Sequence, residues 1–148
     1  MVSNVIGQGK KEEVIGIIKK IIRVSLGFSI CVALVLNLFP AVFLSIYGQD
    51  PEFTAYAIPV VRVVSSALIL MSFATIWLNA VTGTGNTRVN LAIEFVTILF
   101  YCVYVWLVLG YWNLSIIYGW MSEWVYWIST FIWSYLYMRS GRWKNKVI

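Results

Sequence analysis

Histidine is absent from the 148 residues, cysteine occurs only twice, and Asp, Glu, Lys and Arg together make up 11%. Without histidine the chain lacks the side chain that most often serves as general base or metal ligand near neutral pH. Cys31 and Cys102 share no Cys-x-x-Cys spacing, so they read as two small apolar helix residues rather than a disulfide or a metal site. With no Cys–base pair and no acidic metal cluster either, the chain does not read as an enzyme and implies no bound cofactor. The shortage of charge says most. A water-soluble domain usually carries about twice this share, and here residues 24–49, 63–87, 95–122 and 124–138 carry none at all.

What fills those runs is apolar: hydrophobic residues are 61% of the chain. One helical crossing of a bilayer core needs roughly 20 predominantly apolar residues. The pattern therefore predicts an all-α membrane protein with four transmembrane helices: A over 24–47, B over 55–81, C over 89–110 and D over 114–137. The opening segment 1–23 does not have the order of a secretory leader. Within it, Lys11–Arg23 is amphipathic at helical period, with Val14, Ile17, Ile18, Ile21 and Ile22 on one side and Lys19, Lys20 and Arg23 on the other. That stretch reads as an interfacial helix running into A, or as a solvated extension of A. Val2–Lys10 reads as the tail of a preceding element, ending at its glycines. Residues 138–148 form a basic tail.

The net charge of +5 is unevenly placed. Lys10, Lys11, Lys19, Lys20 and Arg23 precede A, Asp50 and Glu52 lie between A and B, Arg88 lies between B and C, and Arg139, Arg142, Lys144 and Lys146 follow D. Basic residues favour the cytoplasmic side. The expected path is therefore multi-pass through a plasma (inner) membrane, with both termini and the B–C turn in the cytoplasm. Tyr47, Tyr111, Trp112, Tyr118, Trp120, Tyr137 and Trp143 at the span ends suit the headgroup zone. Because the basic residues flank spans and form no soluble patch, nucleic acid is not an expected partner; the lipid bilayer is.

Polar residues inside the spans fall in stripes. C carries Asn90, Glu94, Thr97, Tyr101 and Tyr104 in one sector. D carries Glu123, Trp127, Thr130, Ser134 and Tyr137 at the same offsets from its glutamate. B has a looser stripe of Ser65, Ser72, Thr75, Asn79 and Thr82, and A only scattered Ser25, Ser29 and Asn37. Polar faces avoid lipid, so B, C and D are expected to face one another or a wet cavity, leaving A on the perimeter. Hydroxyls and amides can simply bond neighbouring helices. A carboxylate in hydrocarbon costs several kcal/mol or must bind a proton. Glu123, placed near mid-membrane by its position in D, and Glu94 are therefore the leading ion-coupling or substrate-path candidates, with Trp127, Tyr101, Asn79 and Arg62 beside them. Glu94 is also close enough to Arg88 to pair with it. Arg62 is read either as an ion-pair partner for Glu123 or as a side chain snorkelled to the outer headgroups. Gly83-Thr84-Gly85-Asn86-Thr87-Arg88 reads as a tight turn, since it has neither the lysine nor the strand of a phosphate loop.

The sequence from Val5 to Val14, the Gly83–Arg88 turn before a glutamate-bearing span, Ser122-Glu-Trp-Val-Tyr-Trp127, and Ser134-Tyr-Leu-Tyr137 followed by Ser140-Gly-Arg-Trp143 resemble the multidrug and toxic compound extrusion (MATE) family. The likeness implies the last four spans of a twelve-helix, two-lobed transporter, with Val2–Lys10 the end of the eighth span. It implies secondary active export of organic cations or other toxic compounds in exchange for sodium ions or protons. It further implies a C-terminal fragment, whose partners are small-molecule organic substrates and the N-terminal helices or another membrane chain. Several members carry a coupling carboxylate on the tenth span; B, its counterpart, has only Arg62 and hydroxyl or amide groups. The alternatives are a fragment of a lipid-linked sugar flippase, or a small non-transporting membrane subunit packed against a partner.

Overall fold

A computed structural model describes residues 1–48 and 50–145; Lys146 of the basic tail lies outside them. The described residues form helices and turns and no strand: α1 (Val2–Gly7), α2 (Val14–Leu38), α3 (Pro40–Leu44), α4 (Pro51–Gly83), α5 (Thr87–Val105), α6 (Ile116–Trp120) and α7 (Ser122–Arg139). Three helical segments are long and apolar enough to cross a membrane: Lys11–Leu38, Pro51–Gly83 and Thr87–Tyr111.

The first crossing differs from the expected 24–47. After a 3-10 turn at Lys11–Glu13, α2 runs unbroken from Val14 to Leu38, so the amphipathic stretch is not a separate interfacial helix. No proline interrupts it, and its apolar face has a protein partner: Val14 and Ile18 are fully buried in a cluster with Trp77, Met138 and Trp143. The helix stops where Pro40, lacking an N–H, cannot continue the ladder. Phe39 leaves helical geometry (φ −127°, ψ 47°) and α3 restarts at the proline.

Asp50 starts α4 as its N-cap, accepting a 2.8 Å bond from the Phe53 N–H. Beyond Gly83 the chain turns through Gly85 at φ 72°, which only glycine adopts freely. Gly83 itself lies against α1, where a Cβ would stand 2.9 Å from Val2 Cβ. α5 passes at Trp106–Tyr111 into a π-helical segment, with the Trp112 N–H bonded to the Leu107 carbonyl at 2.9 Å.

The run at 114–137, a single helix by its apolarity, is two helices in the structure. α6 and α7 meet at Met121, and there is room for the join because Gly119 has no side chain: a Cβ would come 3.1 Å from Leu109 Cδ1. The 18 residues of α7 are also rich in tyrosine and hydroxyl side chains, and it does not count among the three apolar spans.

The helices pack in the order α2, α4, α7, α5; α4 lies along both α2 and α7, and α5 along α7. The tightest core sits at the end carrying both termini, where Ile6, Val14, Ile18, Val81, Ile93, Met138 and Trp143 are buried together. The outer surface is apolar, with Val24, Phe28, Leu91, Phe95 and Trp106 largely exposed, as suits contact with lipid.

A polar face between α5 and α7

The polar stripes divide between two interfaces. Ser65 and Ser72 do not face α5 and α7; they face α2. Asn37 Nδ2 donates to Ser65 Oγ at 2.7 Å, and Ser29 Oγ meets Ser72 Oγ at 3.2 Å. Thus α2 flanks the bundle, yet its serines and asparagine form a seam with α4. Their spacing shows this: Ser25, Ser29, Ala33 and Asn37 recur every fourth residue and so make one stripe along the helix.

The second interface joins α5 and α7. On α5, Asn90 Nδ2 donates to Glu94 Oε1 at 2.9 Å, and Asn90 Oδ1 accepts from Thr82 Oγ1 of α4 at 2.9 Å. On α7, Trp127 Nε1 donates to Glu123 Oε2 at 3.1 Å. Tyr126, one turn from Glu123 on α7, is within electrostatic reach of Glu123 and of Glu94 on α5. Its ring meets Tyr101 edge-on at 6.3 Å and Trp127 edge-on at 4.9 Å between centroids. The structure therefore links Glu123, Trp127 and Tyr101 of the expected set through Tyr126, while Glu94 is bonded to Asn90 on α5. The position of Tyr126 three residues after Glu123, one turn along the same helix, is the signal in the sequence.

Glu123 is not in the middle of a long helix but in the first turn of α7, just past the join at Met121. A helix N-terminus favours negative charge, and the Trp127 N–H adds a charge-assisted bond. Both offset part of the cost of removing the carboxylate from water. Arg62 and Asn79 stand apart from this cluster: both are exposed, and among the described residues Arg62 makes no ion pair with Glu123. Arg62 is nonetheless adjacent in sequence to the level of Glu123, since Trp124 Nε1 bonds the Val63 carbonyl at 3.3 Å and Ser66 Oγ at 3.0 Å. Arg88 and Glu94 are not paired either, although both line a cleft of about 360 Å³ with Thr82, Thr87 and Asn90.

Chemically, the cluster offers carboxylate and phenol oxygens beside three aromatic rings. Such a set can hold a proton, a small hard cation or an organic cation against the ring faces. Among the described residues no three His, Cys, Asp or Glu come together as metal ligands.

Comparison with known proteins places these residues in context. The MatE family model matches residues 1–107, from α1 into the π-helical segment and short of α7. The probable multidrug resistance protein NorM of Thermotoga maritima is 25% identical over 143 residues, which cover 96% of this chain and 31% of that protein. The chain thus spans about a third of the length of this curated relative. No solved structure matches.

Proposed function

The chain belongs to the MatE family, and from that premise we propose that it forms part of a secondary active multidrug efflux antiporter, exporting organic cations or other toxic compounds in exchange for sodium ions or protons. In this reading α6 and α7 together make a fourth crossing after the three apolar spans. Both termini and the 84–86 turn face the cytoplasm, as the distribution of basic residues favours. The rest of the transport path comes from helices beyond the third of the relative's length that this chain spans, since alternating access needs two bundles rocking about a shared site.

The observation that carries the reading is that neighbouring membrane helices each carry a carboxylate, Glu94 and Glu123, each held by a donor one turn away, with Tyr101 and Tyr126 meeting edge-on between the helices at 6.3 Å. Each carboxylate lies where a bound proton or cation would offset the cost of keeping its charge away from water. Exchange of that proton or cation for substrate gives the antiport its coupling. Tyr101, Tyr126 and Trp127 offer ring faces to an organic cation.

The test is efflux from cells producing the transporter with these helices in place. Glu123→Gln preserves shape and hydrogen bonding and removes the ionisable charge. Efflux should fall strongly and lose its dependence on sodium or pH at unchanged protein level, and Glu94→Gln should weaken it in the same sense. Wild-type efflux in both variants, with ion dependence intact, would remove the coupling role from this pair.

A further inference from the structure

At the end of the bundle that carries both termini, α2, α4 and α7 leave a cleft of about 300 Å³. Three cations line it: Lys19 from α2, Arg139 from the end of α7 and Lys144 from the 3-10 turn that follows. Lys144 is already neutralised by Glu12 at 2.7 Å. Lys19 and Arg139 are exposed, and among the described residues neither makes an ion pair. Among the described residues no carboxylate lines the cleft. Its inner walls are Trp77 and Tyr135, edge-to-face at 5.1 Å, together with buried Trp143 and Met138. Within two turns of Lys19 and Arg139 along their helices, Val24 and Leu136 begin the exposed apolar surface.

We propose that this cleft binds the headgroup phosphate of an anionic phospholipid, with Lys19 and Arg139 as its ligands. Basic pockets between membrane helices at the cytoplasmic side hold anionic headgroups because the phosphate gains charge-assisted bonds while its acyl chains remain in the bilayer. Both halves of that requirement are present: two unpaired cations at the mouth, and an apolar surface continuing from it. Free phosphate would use the cations alone and leave the aromatic wall and the adjoining apolar surface without a role. Trp143 and Lys144 shape the wall, and the pair with Glu12 neutralises the third cation, so among the described residues two positive charges at the site remain free. The proposal stands independently of transport.

The experiment is native mass spectrometry of the full chain in neutral detergent, titrated with phosphatidylglycerol or phosphatidylcholine. The wild-type chain should retain phosphatidylglycerol in preference. Lys19→Gln with Arg139→Gln should reduce that preference roughly 25-fold, about fivefold for each basic group facing an anionic headgroup. Lys10→Gln with Lys20→Gln removes the same charge outside the cleft and should leave most of the preference. Equal loss in the two pairs would mean diffuse surface attraction and overturn the site. Lys19→Arg with Arg139→Lys keeps the charge, and should keep the preference together with the helical content; loss of the preference there would also overturn it. Millimolar inorganic phosphate should not displace the lipid, and displacement would reassign the cleft to a free anion.

Discussion

Trp127 donates its indole N–H to the carboxylate of Glu123 across one helical turn, 3.1 Å from nitrogen to oxygen. The pair couples an ionisable group to an aromatic ring that also packs edge-on against Tyr126 at 4.9 Å. Any change in the charge of Glu123 therefore alters the bonding of a ring at the same site, which links the carboxylate to the aromatic surface beside it.

That bond should be measurable. A hydrogen bond to a charged group contributes about 1.5–3 kcal/mol when its partner is removed. Trp127→Phe should destabilise the chain in detergent unfolding, whereas in the Glu123→Gln background the same substitution should cost less by about 1 kcal/mol. A double-mutant cycle with no coupling energy would show that the charge of Glu123 adds nothing to its bond with Trp127.

The seam between α2 and α4 makes a smaller claim. Interhelical polar contacts in membranes average about 0.6 kcal/mol. Asn37→Ala and Ser65→Ala should each lower stability by about that amount, and the double variant by less than the sum, because they share the 2.7 Å bond. Full additivity in an unfolding titration would mean that the bond contributes nothing in the bilayer or micelle.

The long apolar helices were legible because absence of charge over a span's length leaves few other folds, and the family was legible in the turn and glutamate motifs. Other features were not. The break at Phe39–Pro40 was visible as a proline, but the neighbouring apolar residues masked it. The join at Met121 depends on how Gly119 packs against Leu109, a tertiary contact with no local signature. The pairing of stripes depends on which helices become neighbours: α7 lies between α4 and α5, so Ser65 and Ser72 were left to α2. Tyr126 carries no distinction as one aromatic residue in an aromatic-rich helix until its ring is seen to meet Tyr101 of α5 and Trp127 together.

Orientation yields a direct test. The charge pattern predicts Asp50 and Glu52 outside and Arg88 with both termini inside. Single cysteines at Glu52 and Asn113, in a background with Cys31 and Cys102 replaced by serine, should react with membrane-impermeant reagents added to intact cells. Cysteines at Asn86 and Asn145 should react only after permeabilisation. Protection at both Glu52 and Asn113 would overturn the topology, and labelling of Asn145 in intact cells would remove the fourth crossing.

The end of the bundle at the termini sets two contacts against each other. The Glu12–Lys144 ion pair is 2.7 Å long, but Glu12 remains 85% exposed. Exposed pairs contribute at most about 1 kcal/mol and weaken in salt. Trp143, next in sequence to Lys144, is 1% exposed, and its indole N–H bonds the Met138 carbonyl at 2.8 Å. Removing a buried tryptophan side chain costs about 3–5 kcal/mol, since transfer and cavity terms add. Burial should therefore decide what holds the C-terminal turn on α2. Trp143→Ala should free the tail, seen as faster proteolysis after Arg139 or Arg142 and a clear loss of stability. Lys144→Gln should change either measure little, and less still at high salt. If Lys144→Gln loosens the tail as much as Trp143→Ala does, the salt bridge is the tether and the tryptophan only fills the space it leaves.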